Sequence, residues 1–205
     1  MRTVMSRNPI KRFQRREDGT FSVETVLIYP LLIWALSAMF IFWDGFKVNN
    51  NAISATYTVA DLISRQTSPI TDEFVNGLES LYSVIAENRE DNDIRVTVVQ
   101  LTEGDNPVVD PPELELVWSY GTTGLPKREN INDVAKIVPL MAVGATMIVV
   151  ETRTVWEPPL DWNIGGMTFE NITFTSPRFV PQIKFDDGTG DSGGIGFDDG
   201  DGDAA

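Results

Sequence analysis

The chain of 205 residues contains neither cysteine nor histidine. Without cysteine there is no disulfide framework and no thiolate metal site. Without histidine there is no Ser-His-Asp or Cys-His catalysis, no imidazole general base and no histidine-ligated zinc. These absences argue against most hydrolases. Basic residues are scarce as well, 16 against 30 acidic, for a formal net charge of −14. A body this acidic repels phosphates, which argues against a nucleic-acid partner.

The scarce basic residues are not spread evenly. Arg2, Arg7, Lys11, Arg12, Arg15 and Arg16 all precede Thr20, with only Glu17 and Asp18 against them. Directly after this head, no formal charge occurs from Thr25 to Trp43. At about 1.5 Å per residue that run spans roughly 28 Å as a helix, close to the hydrocarbon thickness of a bilayer. It is apolar on all faces, with Tyr29 and Trp34 inside it and Trp43 and Phe46 near its far end. These features favour a single transmembrane helix over the buried core helix of a soluble protein. A cleavable signal peptide fits less well, because "ALSA" at Ala35–Ala38 lies mid-run and strongly apolar residues follow it. The basic head predicts a cytoplasmic N-terminus and an exported acidic body.

Two residues in this segment are costly in lipid. Glu24 carries a charge at the cytoplasmic edge of the run, and Pro30 lacks the amide hydrogen that would bond to Val26. An interfacial glutamate can simply reach water, and a lone proline is often a tolerated kink. The spacing offers a second reading. Glu24 is the fifth residue after Gly19. Were the bond from Gly19 to Thr20 cut, the new ammonium on Thr20, or that of a neighbouring chain, could neutralise the carboxylate.

A basic leader, a glycine and a glutamate at the fifth following position resemble the type IV prepilin processing signal. The stretch "GTFSVETVLIYPLLI", with Gly19, Val23, Glu24, Pro30, Leu31 and Leu32, resembles the N-terminus of the TadE/TadG family of tight-adherence (Flp-type) pilus assembly proteins. Thr25 stands where that family usually has an aromatic residue, and some family members keep an uncleaved N-terminus. "MIVVETRTVWEPPL" and "SPRFVPQI" resemble the family's C-terminal region through Val150, Glu151, Trp156, Pro158, Pro177 and Arg178. The resemblance implies a non-catalytic, pseudopilin-like subunit. It would sit in the inner membrane as a single-pass protein with its C-terminal domain outside the cytoplasm. The implied partners are other pilin-like subunits, the pilus assembly machinery and a prepilin peptidase. Glu24 and Pro30 would serve assembly and register, and Gly19 and Thr20 would form the processing site. No cofactor is implied.

Downstream, Phe46, Ile53, Tyr57, Ala60 and Ile63 keep one helical face, so the helix is expected to continue over residues 20–66. Sequence alone leaves open a separate amphipathic helix, with "NNN" at Asn49–Asn51 marking a bend. A second helix is expected after Thr71 as N-cap, with Phe74, Leu78, Leu81, Tyr82 and Ile85 inward. From Asp93 the period changes to two. Leu114, Leu116, Trp118 and Tyr120 alternate with Glu113, Glu115, Val117 and Ser119. Further β runs begin near Ala145 and Gly166, and a short helix is expected near Asn132. The expected fold class is α+β: a transmembrane helix, a soluble domain over 67–185 with a second helix, and an antiparallel sheet of about four strands, pilin-like in plan.

The last segment, 186–205, is rich in glycine and aspartate and is expected to be disordered. "GTGDSG" at Gly188–Gly193 matches a dinucleotide fingerprint but lacks the strand-turn-helix setting and has aspartates that repel pyrophosphate. "GGIGFD" at Gly193–Asp198 begins a calcium nonapeptide without its stacked copies, which leaves Asp198, Asp199 and Asp201 as weak Ca²⁺ ligands. The rival functional reading is therefore a membrane-anchored periplasmic binding module with a Ca²⁺-responsive acidic tail. "NIT" at Asn171 matches a glycosylation acceptor, and Glu113 with Glu115 could be drawn as an acid/base pair, although strand spacing places both on a solvent face.

Overall fold

The computed structural model describes residues 18–88, 91–104, 111–160 and 165–188. The chain divides after Asp44 into two compact units. Helix α1 (Asp18–Ser64) supplies the described part of the first unit and continues into the second. The apolar run and the amphipathic stretch are thus one helix, and Asn49–Asn51 do not interrupt it. Ser54, Thr56 and Thr58 donate their hydroxyls to the carbonyls of Asn50, Ala52 and Ser54, so these polar side chains are satisfied by the helix that carries them.

The second unit is α+β. Its elements are β1 (Ile70–Thr71), α2 (Asp72–Ala86), β2 (Asn92–Thr102), β3 (Glu113–Gly121), α3 (Asn132–Ala135), β4 (Thr146–Trp156), β5 (Met167–Thr175) and β6 (Phe185–Asp186). Four strands form an antiparallel sheet in the order β3-β2-β4-β5. The two-residue strands β1 and β6 form a separate parallel pair. Thr71 caps α2 as its sequence position suggests, with Oγ1 accepting from the Phe74 amide at 3.2 Å.

One sheet face packs under both helices. Ile94, Val96, Val98, Ile148 and Val150 meet Ala52, Ala55, Val59 and Ile63 of α1 and Val75, Leu78 and Tyr82 of α2. The α1 face differs from the one its bulky residues suggested. Ala60 and Ile63 of the expected face are buried, but Phe46 and Tyr57 are exposed, and Ala52, Ala55 and Val59 take the contact in their place. The sheet already fills much of the space with branched side chains, so the helix meets it with aliphatic residues, small at Ala52, Ala55 and Ala60, and not with aromatic rings. On α2 the expected face largely holds: Leu78 and Tyr82 are buried and Phe74 and Ile85 pack against the core, while Val75 and Ala86 join them and Leu81 is partly exposed. Two buried hydroxyl contacts fix the layers, Thr56 to Thr152 at 2.7 Å and Tyr82 to Thr154 at 2.6 Å.

Strand β3 departs from simple alternation. Its pairing with β2 shifts by one residue between Val98 and Val99, where Val117 is left over. This β-bulge reverses the faces along the strand. Trp118 and Tyr120 join the helix-side core, whereas Leu114 and Leu116 join a second, smaller core on the other face with Val99, Val134, Val149 and Phe174. A segment from Pro177 to Phe185 then closes the first core. The Arg178 amide donates to Ser64 O, the Trp118 indole donates to Ile183 O at 2.7 Å, and Phe185 packs on Trp118 and Tyr120.

On the second face, two charged pairs cross the central strands. Asp93 lies opposite Arg153 and Arg95 opposite Glu151. Glu151 accepts from Arg95 at 2.6 Å and from Arg128 at 2.6 Å. Burial alone would raise its pKa, but the two arginines together outweigh that and hold it below the ordinary 4.5. A carboxyl depressed in the folded state adds stability above its unfolded pKa, and that stability is lost as pH falls through the folded value. Glu151→Gln should therefore lower stability near neutral pH by about 2–4 kcal/mol, since it strands two partly buried cations. Thermal melts of the two chains should converge as the pH falls below the ordinary 4.5 and through the depressed value of the folded chain. A mutant deficit that is the same at acid and neutral pH would exclude this role.

Candidate functional site: an exposed apolar helix

Nearly all large side chains of α1 from Val23 to Trp43 are exposed. Leu27 is 70%, Leu36 65% and Met39 70% accessible. Soluble monomers rarely leave apolar patches above a few hundred Å² uncovered. Among the described residues this is the one helix long and apolar enough to cross a membrane. Its chemistry suits a solvent without hydrogen bonds. Ser37 Oγ, the hydroxyl in the middle of the run, donates to Ile33 O at 2.7 Å, so it does not need water.

The residues singled out in the sequence fall at the start of this helix. Gly19 and Thr20 lie in its first turn, where backbone amides have no carbonyl to bond within the helix. Thr20 and Glu24 are four residues apart and so share a helix face, about 6 Å apart along the axis. Glu24 is exposed, and none of the described residues pairs with it. Pro30 is inside the helix, where the carbonyl of Val26 loses its usual donor. The basic head before Asp18 and the weak calcium candidates Asp198, Asp199 and Asp201 lie outside the described residues.

Two further polar features were not anticipated. A cleft of about 510 Å³ is lined by Glu79, Ser80, Ser83, Asp91, Asp93, Gly124 and Arg153. Burial raises the pKa of Glu79 more than a hydrogen bond from Thr122 lowers it, and the charge of Asp93 adds to the rise. Asp93 is already engaged, accepting from the Gly124 amide at 2.7 Å and pairing with Arg153. Gly124 is required there, because a Cβ would fall 2.1 Å from the Asp93 carboxylate. Ser80 and Ser83 donate to Asn76 O and Glu79 O, one turn back on α2, and neither hydroxyl is set against a base. Among the described residues no group of carboxylates is arranged to hold a metal ion. The second feature is a cavity of about 320 Å³ beside Arg95, Arg128 and Glu151, whose charges are spent on each other.

Glu113 and Glu115 are both exposed on β3. Asn171 sits in β5 with its amide nitrogen buried, a poor position for a bulky glycan. Comparison with models of protein families, with curated proteins and with solved structures returned no match.

The contrast between Leu36 and Tyr57, equally exposed on one helix, tests what the apolar part faces. Leu36→Arg should raise the apparent insertion free energy by about 3 kcal/mol in a glycosylation-reporter assay on the full chain. Tyr57→Arg, in the second unit, should leave insertion unchanged. Equal effects of the two substitutions would argue against residues 25–43 as the spanning segment.

Proposed function

We propose that this chain is a membrane-anchored, non-catalytic subunit that assembles with other pilin-like helices in a tight-adherence (Flp-type) pilus. The observation that carries the proposal is the exposed apolar helix with Glu24 at its edge, five residues past Gly19. In this reading the chain crosses the inner membrane once, with the basic head in the cytoplasm and the α+β unit outside it. The continuation of the same helix onto an antiparallel sheet supports the pilin-like plan.

The mechanism follows from charge. A carboxylate at the hydrocarbon edge is tolerated when water reaches it, and it becomes costly when neighbouring helices exclude water. A partner's ammonium then neutralises it, and because the two charges must meet, the pair fixes axial register between helices. Pro30 supports packing in the same bundle, since the carbonyl it frees on Val26 is open to a donor from a neighbouring helix. Cleavage after Gly19 would generate the ammonium on Thr20. The bond lies in the first helical turn, which frays at little cost, so a prepilin peptidase need unwind little to reach it.

Glu24→Gln should leave membrane insertion intact and sharply reduce the recovery of assembled pili. Mass spectrometry of the mature chain reports the cut: a chain beginning at Thr20 accords with processing, and one beginning at Met1 places the chain with uncleaved relatives. Normal piliation by Glu24→Gln would remove the register role. Failure to co-purify with pilus components, together with an intact N-terminus, would favour the anchored binding module instead.

A further inference from the structure

The second unit begins at Gly45, and several distant parts of the chain converge there. A Cβ on Gly45 would lie 3.4 Å from the indole ring of Trp156, the last residue of β4. Trp156 pairs with Met167, the first residue of β5. Lys47 forms an ion pair at 2.5 Å with Glu87, the left-handed residue (φ 54°) that ends α2. The Asn88 side chain donates to Val155 O at 2.7 Å. The end of α2, the end of β4 and the start of β5 therefore form one rim around Gly45 to Lys47.

This rim exposes apolar side chains. Val84 is 74% accessible, Met167 56%, and Leu160 in the connection after β4 is 37%. Among the described residues, none of the three belongs to either of the apolar clusters described above. We propose that the rim is a lipid-facing surface that seats the second unit at the interface of the bilayer crossed by α1. The inference rests on the membrane-anchored reading above. Continuity identifies the occupant: Gly45 follows Trp43, the end of the apolar run, by two positions, about 3 Å of helix rise. Any bilayer holding that run has its interface at the level of Gly45. The charges agree with this placement. Lys47 and Glu87 neutralise each other, and the Lys47 stem adds apolar length beneath its ammonium. Glu157 is exposed nearby with the sign that anionic headgroups repel. Among the described residues, the surface therefore suits zwitterionic lipid and gains nothing from negative headgroups.

The absence of native cysteine allows single thiol labels on the full chain. Four variants, Leu36→Cys, Val84→Cys, Met167→Cys and Leu140→Cys, would carry an environment-sensitive fluorophore. They would be reconstituted in phosphatidylcholine vesicles with brominated acyl chains. Leu140 is apolar and fully exposed, but it precedes the start of β4, at the strand end remote from Trp156. Labels at 84 and 167 should be blue-shifted and quenched several-fold more than the label at 140, with no gain when phosphatidylglycerol is added. If 84 and 167 behave like 140 while 36 is quenched, the lipid-facing rim is wrong and the anchor stands. Strengthening of the 84 and 167 signals by phosphatidylglycerol would overturn the zwitterionic assignment. An unquenched label at 36 would overturn the anchor and the rim together.

Discussion

Everything in the second unit depends on the register between β2 and β4. Asp93-x-Arg95 runs antiparallel to Glu151-x-Arg153, so each acid meets a base across the ladder. A slip of two residues would set acid against acid or base against base, which is unfavourable at that distance. A slip of one would turn the branched residues of the slipping strand toward the wrong face. With the register fixed, Thr152 falls under Thr56 and Thr154 under Tyr82, and the helices are seated by those hydroxyls. Glu151 holds Arg128 in turn, and so ties the connection after β3 to the same ladder.

That register was written in the sequence as two short charge patterns, and only their pairing was hidden. Other parts were legible for local reasons. The Thr71 cap, the apolar run and the β periods of the later strands each depend on residues close in the chain. The errors arose where tertiary packing chose among local options. On α1 the expected face was right at Ala60 and Ile63 and wrong at Phe46 and Tyr57, whose places against the sheet go to Ala52, Ala55 and Val59. Alternation placed Leu114 with Trp118, and one surplus residue put them on opposite faces. The β1–β6 pair joins two residues to two others more than a hundred positions away, and no periodicity marks so short a contact. At the candidate site the sequence placed Glu24 and Pro30 on a helix, and the structure agrees. Which charge meets Glu24 cannot be read from one chain, because the partner proposed for it belongs to an assembly.

Helix α1 changes character along its length. Its first part has branched and aromatic side chains all round, as suits a medium in which every exposed surface is apolar. Its second part narrows to a stripe of alanine and valine facing the sheet, with Asn50, Ser54 and Thr58 on the water side. Ser37 in the first part and Ser54 and Thr58 in the second donate to their own helix, so a change of surroundings costs these hydroxyls little. In the proposed reading, that independence lets one element pass from lipid into a bundle of helices without remaking its backbone.

The bulge in β3 also bears on how the unit comes apart. One strand lends Trp118 and Tyr120 to the core under the helices and Leu114 and Leu116 to the core under α3. Loosening either layer pulls on a strand that the other also needs. The closing segment is drawn in as well, since Trp118 holds Ile183. Amide exchange in the two layers should therefore be governed by a single opening event rather than by separate ones. By sharing one strand, two small cores acquire the cooperativity of a larger one.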